Sequence, residues 1–155
     1  MRSTVGLLLL VTVTTLTLGG VSLATNMPAV TWSATLSAAN EIPKQVVKDT
    51  VAHGTFTGTL TGTKLKFTLS FADLTGSPTM AHIHLGAIGT SGKILVWLCS
   101  PCKSPVHGTV TITAAEVKDL SKNLLYVNVH TVKNPNGEIR GQLNASMVGS
   151  AVTAP

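Results

Sequence analysis

Apolar and polar residues alternate along most of this chain. Residues 31–37 put Trp32, Ala34 and Leu36 on one side and Thr31, Ser33, Thr35 and Ser37 on the other, the period-two pattern of a half-buried strand. Residues 53–60 give a second strand, and Thr61-Gly62-Thr63 turns it into a third over 64–71. There Leu65, Phe67, Leu69 and Phe71 share one face, and Lys64, Lys66, Thr68 and Ser70 share the other. The pair reads as a hairpin with an apolar inner face and a polar outer one. Ala38-Ala39-Asn40-Glu41-Ile42-Pro43 interrupts the pattern, and Pro43 argues for a loop or an edge. A loop over 73–78 leads into the strand Met80-Ala81-His82-Ile83-His84-Leu85-Gly86. Further strands are expected over 93–98, 109–113, 124–132 and 138–147.

Between these strands the punctuation is specific. Thr113-Ala114-Ala115-Glu116 fits a capping box, with Thr113 as N-cap and Glu116 three residues on. Val117 and Leu120 add a short apolar stripe, so a helix of about two turns should end near Ser121. Asn134-Pro135-Asn136-Gly137 is a turn with Pro and Gly where a bulged three-residue hairpin loop needs them. With Asn134 opposite Glu138, His130 would pair with Gln142 and Arg140 would lie one diagonal away on the same face. A loop one residue shorter or longer would turn Arg140 to the other face. The whole reads as an all-β chain: an antiparallel, Greek-key-like β-sandwich or barrel over residues 32–147, with one short helix.

Composition narrows the setting. The first 24 residues run from Met1-Arg2 through an uncharged stretch to Ser22-Leu23-Ala24, the order of a secretory signal peptide cleaved after Ala24. The same stretch is long enough for an uncleaved membrane anchor. Either way the remainder works outside the cytoplasm, as a secreted or periplasm-equivalent domain. Residues 25–31 are a lead-in and 148–155 a frayed tail. Only 11% of residues are charged and 4% aromatic, and Thr, Val, Leu and Gly dominate. The net charge is +5, but the lysines are scattered with few aromatics to stack bases, which does not describe a nucleic-acid site. The cysteines form Cys99-Ser100-Pro101-Cys102, read in an exported chain as a local disulfide. No second pair exists to complete a four-thiolate zinc site. Asn144-Ala145-Ser146 is a glycosylation sequon.

The histidines carry the candidate chemistry. On a strand His82 and His84 point to the same face. The parity of 124–132 puts Leu125, Val127 and Val129 inward and Tyr126, Asn128 and His130 together on the opposite face. If that strand neighbours the first, His130 supplies a third imidazole, and His53 or His107 a fourth. Such a nitrogen set suits copper. Asn128, Gln142 and Glu138 are candidate acceptors for the second ring N–H of each imidazole. The alternative is that the histidines only knit two strands together on a polar sheet face.

The series Ala34-Thr35-Leu36-Ser37-Ala38-Ala39-Asn40-Glu41-Ile42-Pro43, then Ala81-His82-Ile83-His84-Leu85-Gly86, Tyr126-Val127-Asn128-Val129-His130-Thr131 and Asn136-Gly137-Glu138-Ile139-Arg140-Gly141-Gln142-Leu143 resembles a CHRD domain, the repeat first described in chordin. The resemblance runs from about Trp32 to Ala145 and implies an extracellular β-rich domain, without fixing an activity. A local resemblance to copper-zinc superoxide dismutase rests on the HxH pair. By that likeness His82 and His84 match the pair, His130 a later copper ligand and Arg140 the arginine that attracts the anionic substrate. There is no zinc loop, no aspartate among the histidines and no long-range disulfide, so the likeness implies a copper-only site.

Two functions follow from different classes. One is a copper-binding protein, with Arg140 as its catalytic residue if it turns over a small anion such as superoxide. The other is a non-catalytic extracellular module that binds a protein or glycan partner, with membrane contact only through an uncleaved N-terminus. A nucleophilic hydrolase is not indicated, since there is no G-x-S-x-G and only six acidic residues.

Overall fold

The computed structural model describes residues 30–44 and 51–147. The leader at 1–24, the start of the lead-in and the tail at 148–155 lie outside the described residues. Among the described residues nine strands run in chain order: β1 (Val30–Ser37), β2 (His53–Thr61), β3 (Lys64–Ala72), β4 (Pro78–Leu85), β5 (Ile94–Cys99), β6 (Val106–Thr111), β7 (Leu125–Thr131), β8 (Ile139–Gln142) and β9 (Asn144–Met147). One α-helix, α1 (Ala114–Leu120), sits between β6 and β7. The expected capping box at its start is present in both directions, between Thr113 and Glu116.

All strand pairs are antiparallel, and they join in one sheet in the order β5-β4-β7-β8-β1-β2-β3-β6, with β9 also on β1. The end strands β5 and β6 come into contact, so the sheet curls into a nearly closed barrel. The alternation in the sequence explains the interior. Trp32, Leu36, Phe56, Leu65, Phe67, Leu69, Ile83, Val127, Val129 and Ile139 all face one core, each contributing roughly 1.5–3 kcal/mol through burial. Phe56 and Phe67 stack with ring centroids 5.7 Å apart. The Cys99–Cys102 disulfide is formed at the end of β5.

The β7–β8 hairpin departs from the expected register. Asn128 pairs with Arg140 and Tyr126 with Gln142, in place of His130 with Gln142. The cause is a turn that closes earlier. Thr131 N–H donates to Asn134 O at 3.3 Å and Gly137 N–H to the same carbonyl at 3.1 Å. Asn134 N–H donates to Thr131 Oγ1 at 3.0 Å. Buried Glu138 then accepts from Thr131 Oγ1 at 2.6 Å and Asn134 Nδ2 at 3.0 Å. Gly137, at φ 123°, lies against the Asn128 amide, where a Cβ would come within 2.5 Å. The slip is even, so Arg140 keeps the face shared by Tyr126 and His130.

The last expected strand is likewise divided, into β8 and β9 with Leu143 between them. A further difference concerns β7, which is buried on both faces along its whole length. The loops at 38–44, 86–92 and 132–138 return over its outer face and cover it.

Candidate metal centre

His82 and His84 project from β4 onto that covered outer face, and His130 joins them from β7, where Met80 pairs with His130 and His82 with Asn128. The three rings are buried, at 0%, 7% and 6% exposure. β5 bulges on either side of the His82–Ile83 pairing, and such irregularities re-aim side chains. Ring centroids lie 5.5 Å (82–84), 4.9 Å (82–130) and 5.9 Å (84–130) apart. One nitrogen from each of these three residues falls within 4.8 Å of the others.

Backbone carbonyls set the tautomers. His84 Nδ1 lies 3.1 Å from Gly92 O, and His130 Nδ1 lies 3.0 Å from Pro135 O. A carbonyl only accepts, so both Nδ1 atoms carry the hydrogen and both Nε2 atoms keep a lone pair. His82 Nδ1 sits 3.1 Å from His130 Nε2. Two nitrogens each about 2.05 Å from one metal and 3.1 Å apart subtend about 98°, close to a tetragonal angle. His82 Nε2 and His84 Nε2 are buried without a partner.

Burial holds all three imidazoles neutral. It pushes the His82 pKa down to about 4, assisted by the neighbouring His130 and His84. Burial also lowers His84 and His130, against the opposing effect of their carbonyl bonds. Neutral imidazole is the form that binds a metal. Trp97, 56% exposed, meets His82 edge-on at 4.2 Å and roofs the cluster.

The other expected residues sit elsewhere. His53 is exposed at the start of β2, with Nδ1 2.8 Å from Val51 O and 3.6 Å from Asp73 Oδ2. His107 is exposed on β6, 3.1 Å from Thr68 Oγ1. Neither belongs to the cluster. Arg140 is buried, with its guanidinium 3.4 Å from the centroid of Tyr126. The Tyr126 ring also stacks on His84 at 4.9 Å. Because β7 lies between β4 and β8, the tyrosine separates the arginine from the histidines.

Asn128, Gln142 and Glu138 do not orient the imidazoles. Asn128 Nδ2 donates to Glu41 Oε2 at 3.3 Å, Gln142 Nε2 to Gly86 O and Asn123 O, and Glu138 serves the hairpin turn. Loops that fold back over the sheet bring carbonyls closer than these side chains can reach. Gly92 is the tightest point: a Cβ there would lie 1.5 Å from Leu85 O. Sequence reading missed Gly92, Pro135, Trp97 and buried Glu41. Only Glu41 left a signal, as a lone acid in the apolar break at residues 38–43.

No helix among the described residues is long and apolar enough to cross a membrane. No curated protein and no solved structure matches the chain. The family model for the CHRD domain matches residues 32–143, a span that takes in most of β1, all of β2 to β8, the three histidines and Arg140. The chain belongs to the CHRD domain family.

Proposed function

We propose that this chain is an extracellular CHRD module that holds one copper ion on His82, His84 and His130. CHRD membership supports the extracellular placement. The observation that carries the metal reading is the convergence of three buried imidazole nitrogens, with the His84 Nε2 lone pair, fixed by the Nδ1–H bond to Gly92 O, left without a partner. An unsatisfied buried acceptor costs about 1–3 kcal/mol, and a cation answers that cost directly. The donor set contains no thiolate, since both cysteines are in the disulfide, and no carboxylate. Imidazole suits copper and zinc alike, and at a given nitrogen set Cu(II) binds more tightly than Zn(II). When bound, copper would supply one-electron chemistry, and the protein sets its geometry and access.

The test is a copper titration of the purified protein read by electron paramagnetic resonance, with a zinc competition. One tight equivalent showing nitrogen hyperfine structure is expected, and it should vanish in a His82→Ala, His84→Ala double variant. Copper binding that the variant retains in full would refute the site. A superoxide dismutation assay on the copper-loaded protein then decides between a redox enzyme and a copper-holding module.

A further inference from the structure

A cleft of about 470 Å3 opens on the far side of Tyr126 from the histidines. Its lips are the loops at 38–44 and 86–92, tied together where Ser91 Oγ donates to Ile42 O at 2.6 Å. Ile42, Pro43 and Ile88 supply apolar walls, and Lys44 stands at the rim. This is the size and character of a small-molecule site, apolar with a few polar groups at its base.

Arg140 forms the floor and is only 3% exposed. Its guanidinium makes one hydrogen bond, from Nη2 to Ala87 O at 3.3 Å, and stacks on Tyr126. Among the described residues no carboxylate lies within ion-pair distance of it. Among the described residues its remaining N–H groups have no hydrogen-bond partner, yet they are not among the atoms sealed from solvent. They therefore open into the cleft that Arg140 lines. Glu41 also lines the cleft and attracts Arg140, but no ion pair among the described residues joins them. Burial pushes the Glu41 pKa up to about 7, so below that pH the buried guanidinium has no ionised partner, which is costly. A carboxylate entering the cleft would meet that charge with two parallel N–H···O bonds. Arg140 on the floor, the one cation buried there, with Lys44 only at the rim, suits the single carboxylate of a monoanion, and the walls suit an apolar body.

We propose that this cleft binds a small monocarboxylate with an aromatic or branched aliphatic body, its carboxylate on Arg140 and its body against Ile42, Pro43 and Ile88. The site stands apart from the metal cluster, so it does not depend on copper.

Phenylacetate and its neutral counterpart phenylacetamide are the probes, titrated into the full-length protein with chelator present. Calorimetry gives affinity, and nuclear magnetic resonance follows the Arg140 Nε–H and the amides of Ile88 and Gly89. Saturable binding of the acid is expected, at least about tenfold tighter than the amide. Ile88, 78% exposed, takes the charge test without risk to the fold. Ile88→Glu and Ile88→Lys remove the same apolar wall, and the Lys variant should bind the acid about tenfold more tightly than the Glu variant. Equal binding of acid and amide, no saturation by about 10 mM (a ceiling weaker than about 3 kcal/mol of binding), or equal binding by the two variants would each overturn the proposal.

Discussion

Replacing Glu41 with Gln isolates one buried carboxyl. Glu41 is 1% exposed, and its Oε1 has no partner. Burial pushes its pKa up from 4.5 to about 7, against the opposing pull of Arg140 and the hydrogen bond from Asn128. Between those values the folded chain holds a proton that the unfolded chain has released. Stability from this group is therefore whole below 4.5 and is lost as pH rises toward 7. The displacement from 4.5 to about 7 is worth on the order of 3 kcal/mol. His82 works in the opposite direction: its pKa is lowered to about 4, so its contribution is present above about 6.5 and lost as pH falls. The two overlap in the wild-type curve, and the difference between variant and wild type removes the histidine. Urea unfolding with chelator present, across pH from about 4.5 to about 8, should show the Gln variant gaining on the wild type by roughly 3 kcal/mol at constant m. A gap that stays level with pH would show that Glu41 is ionised in the fold, and the argument from burial would be wrong.

Two further outcomes test the metal centre. Trp97 lies 4.2 Å from His82, so copper should quench its emission, and Trp97→Phe should leave only the weakly quenched emission of buried Trp32; full quenching in that variant would place the copper elsewhere. Gly92→Ala would drive a Cβ to 1.5 Å from Leu85 O and displace the carbonyl that orients His84. It should lower stability by more than about 2 kcal/mol and weaken copper binding together, and an unchanged unfolding midpoint would show that the loop accommodates the methyl group.

Most of the barrel was legible because the alternation is local. The inward sets Trp32-Ala34-Leu36 and Leu65-Phe67-Leu69 are buried as the pattern implied, and both strands of the first hairpin appear at the expected positions. The capping box worked because its two hydrogen bonds span only three residues. The β7–β8 register failed because the loop is fixed by Glu138 reaching back to Thr131 and Asn134, and residue types alone do not announce that network. The error did no harm to the face assignment, since the slip was even. His53 and His107 could not be separated from His130 by residue type or parity. Strand order separates them: His53 lies opposite Ser37 and Ala72 and His107 opposite Thr68, on the other arm of the sheet.

The covering of the outer face was not legible, because it depends on three loops returning to one surface, and it is the feature that sets this face apart. A fold under no constraint but stability would fill such a layer with apolar side chains, which commonly equal or exceed buried polar groups in stability. Here the layer includes the imidazoles of His82, His84 and His130, the carboxyl of Glu41, the amide of Asn128 and the guanidinium of Arg140. Among the described residues, the buried side-chain atoms without partners are Trp32 Nε1, Glu41 Oε1, His82 Nε2, His84 Nε2 and Asn128 Oδ1. All but the tryptophan nitrogen lie on this one face. Departures from polar satisfaction that gather in a single place mark a surface arranged for something other than stability. Tyr126 divides that surface in two. On one side of its ring one nitrogen from each of three imidazoles lies within 4.8 Å of the others, a set that suits a cation; on the other a guanidinium faces only Glu41, a carboxyl whose pKa burial pushes up to about 7, and so suits an anion.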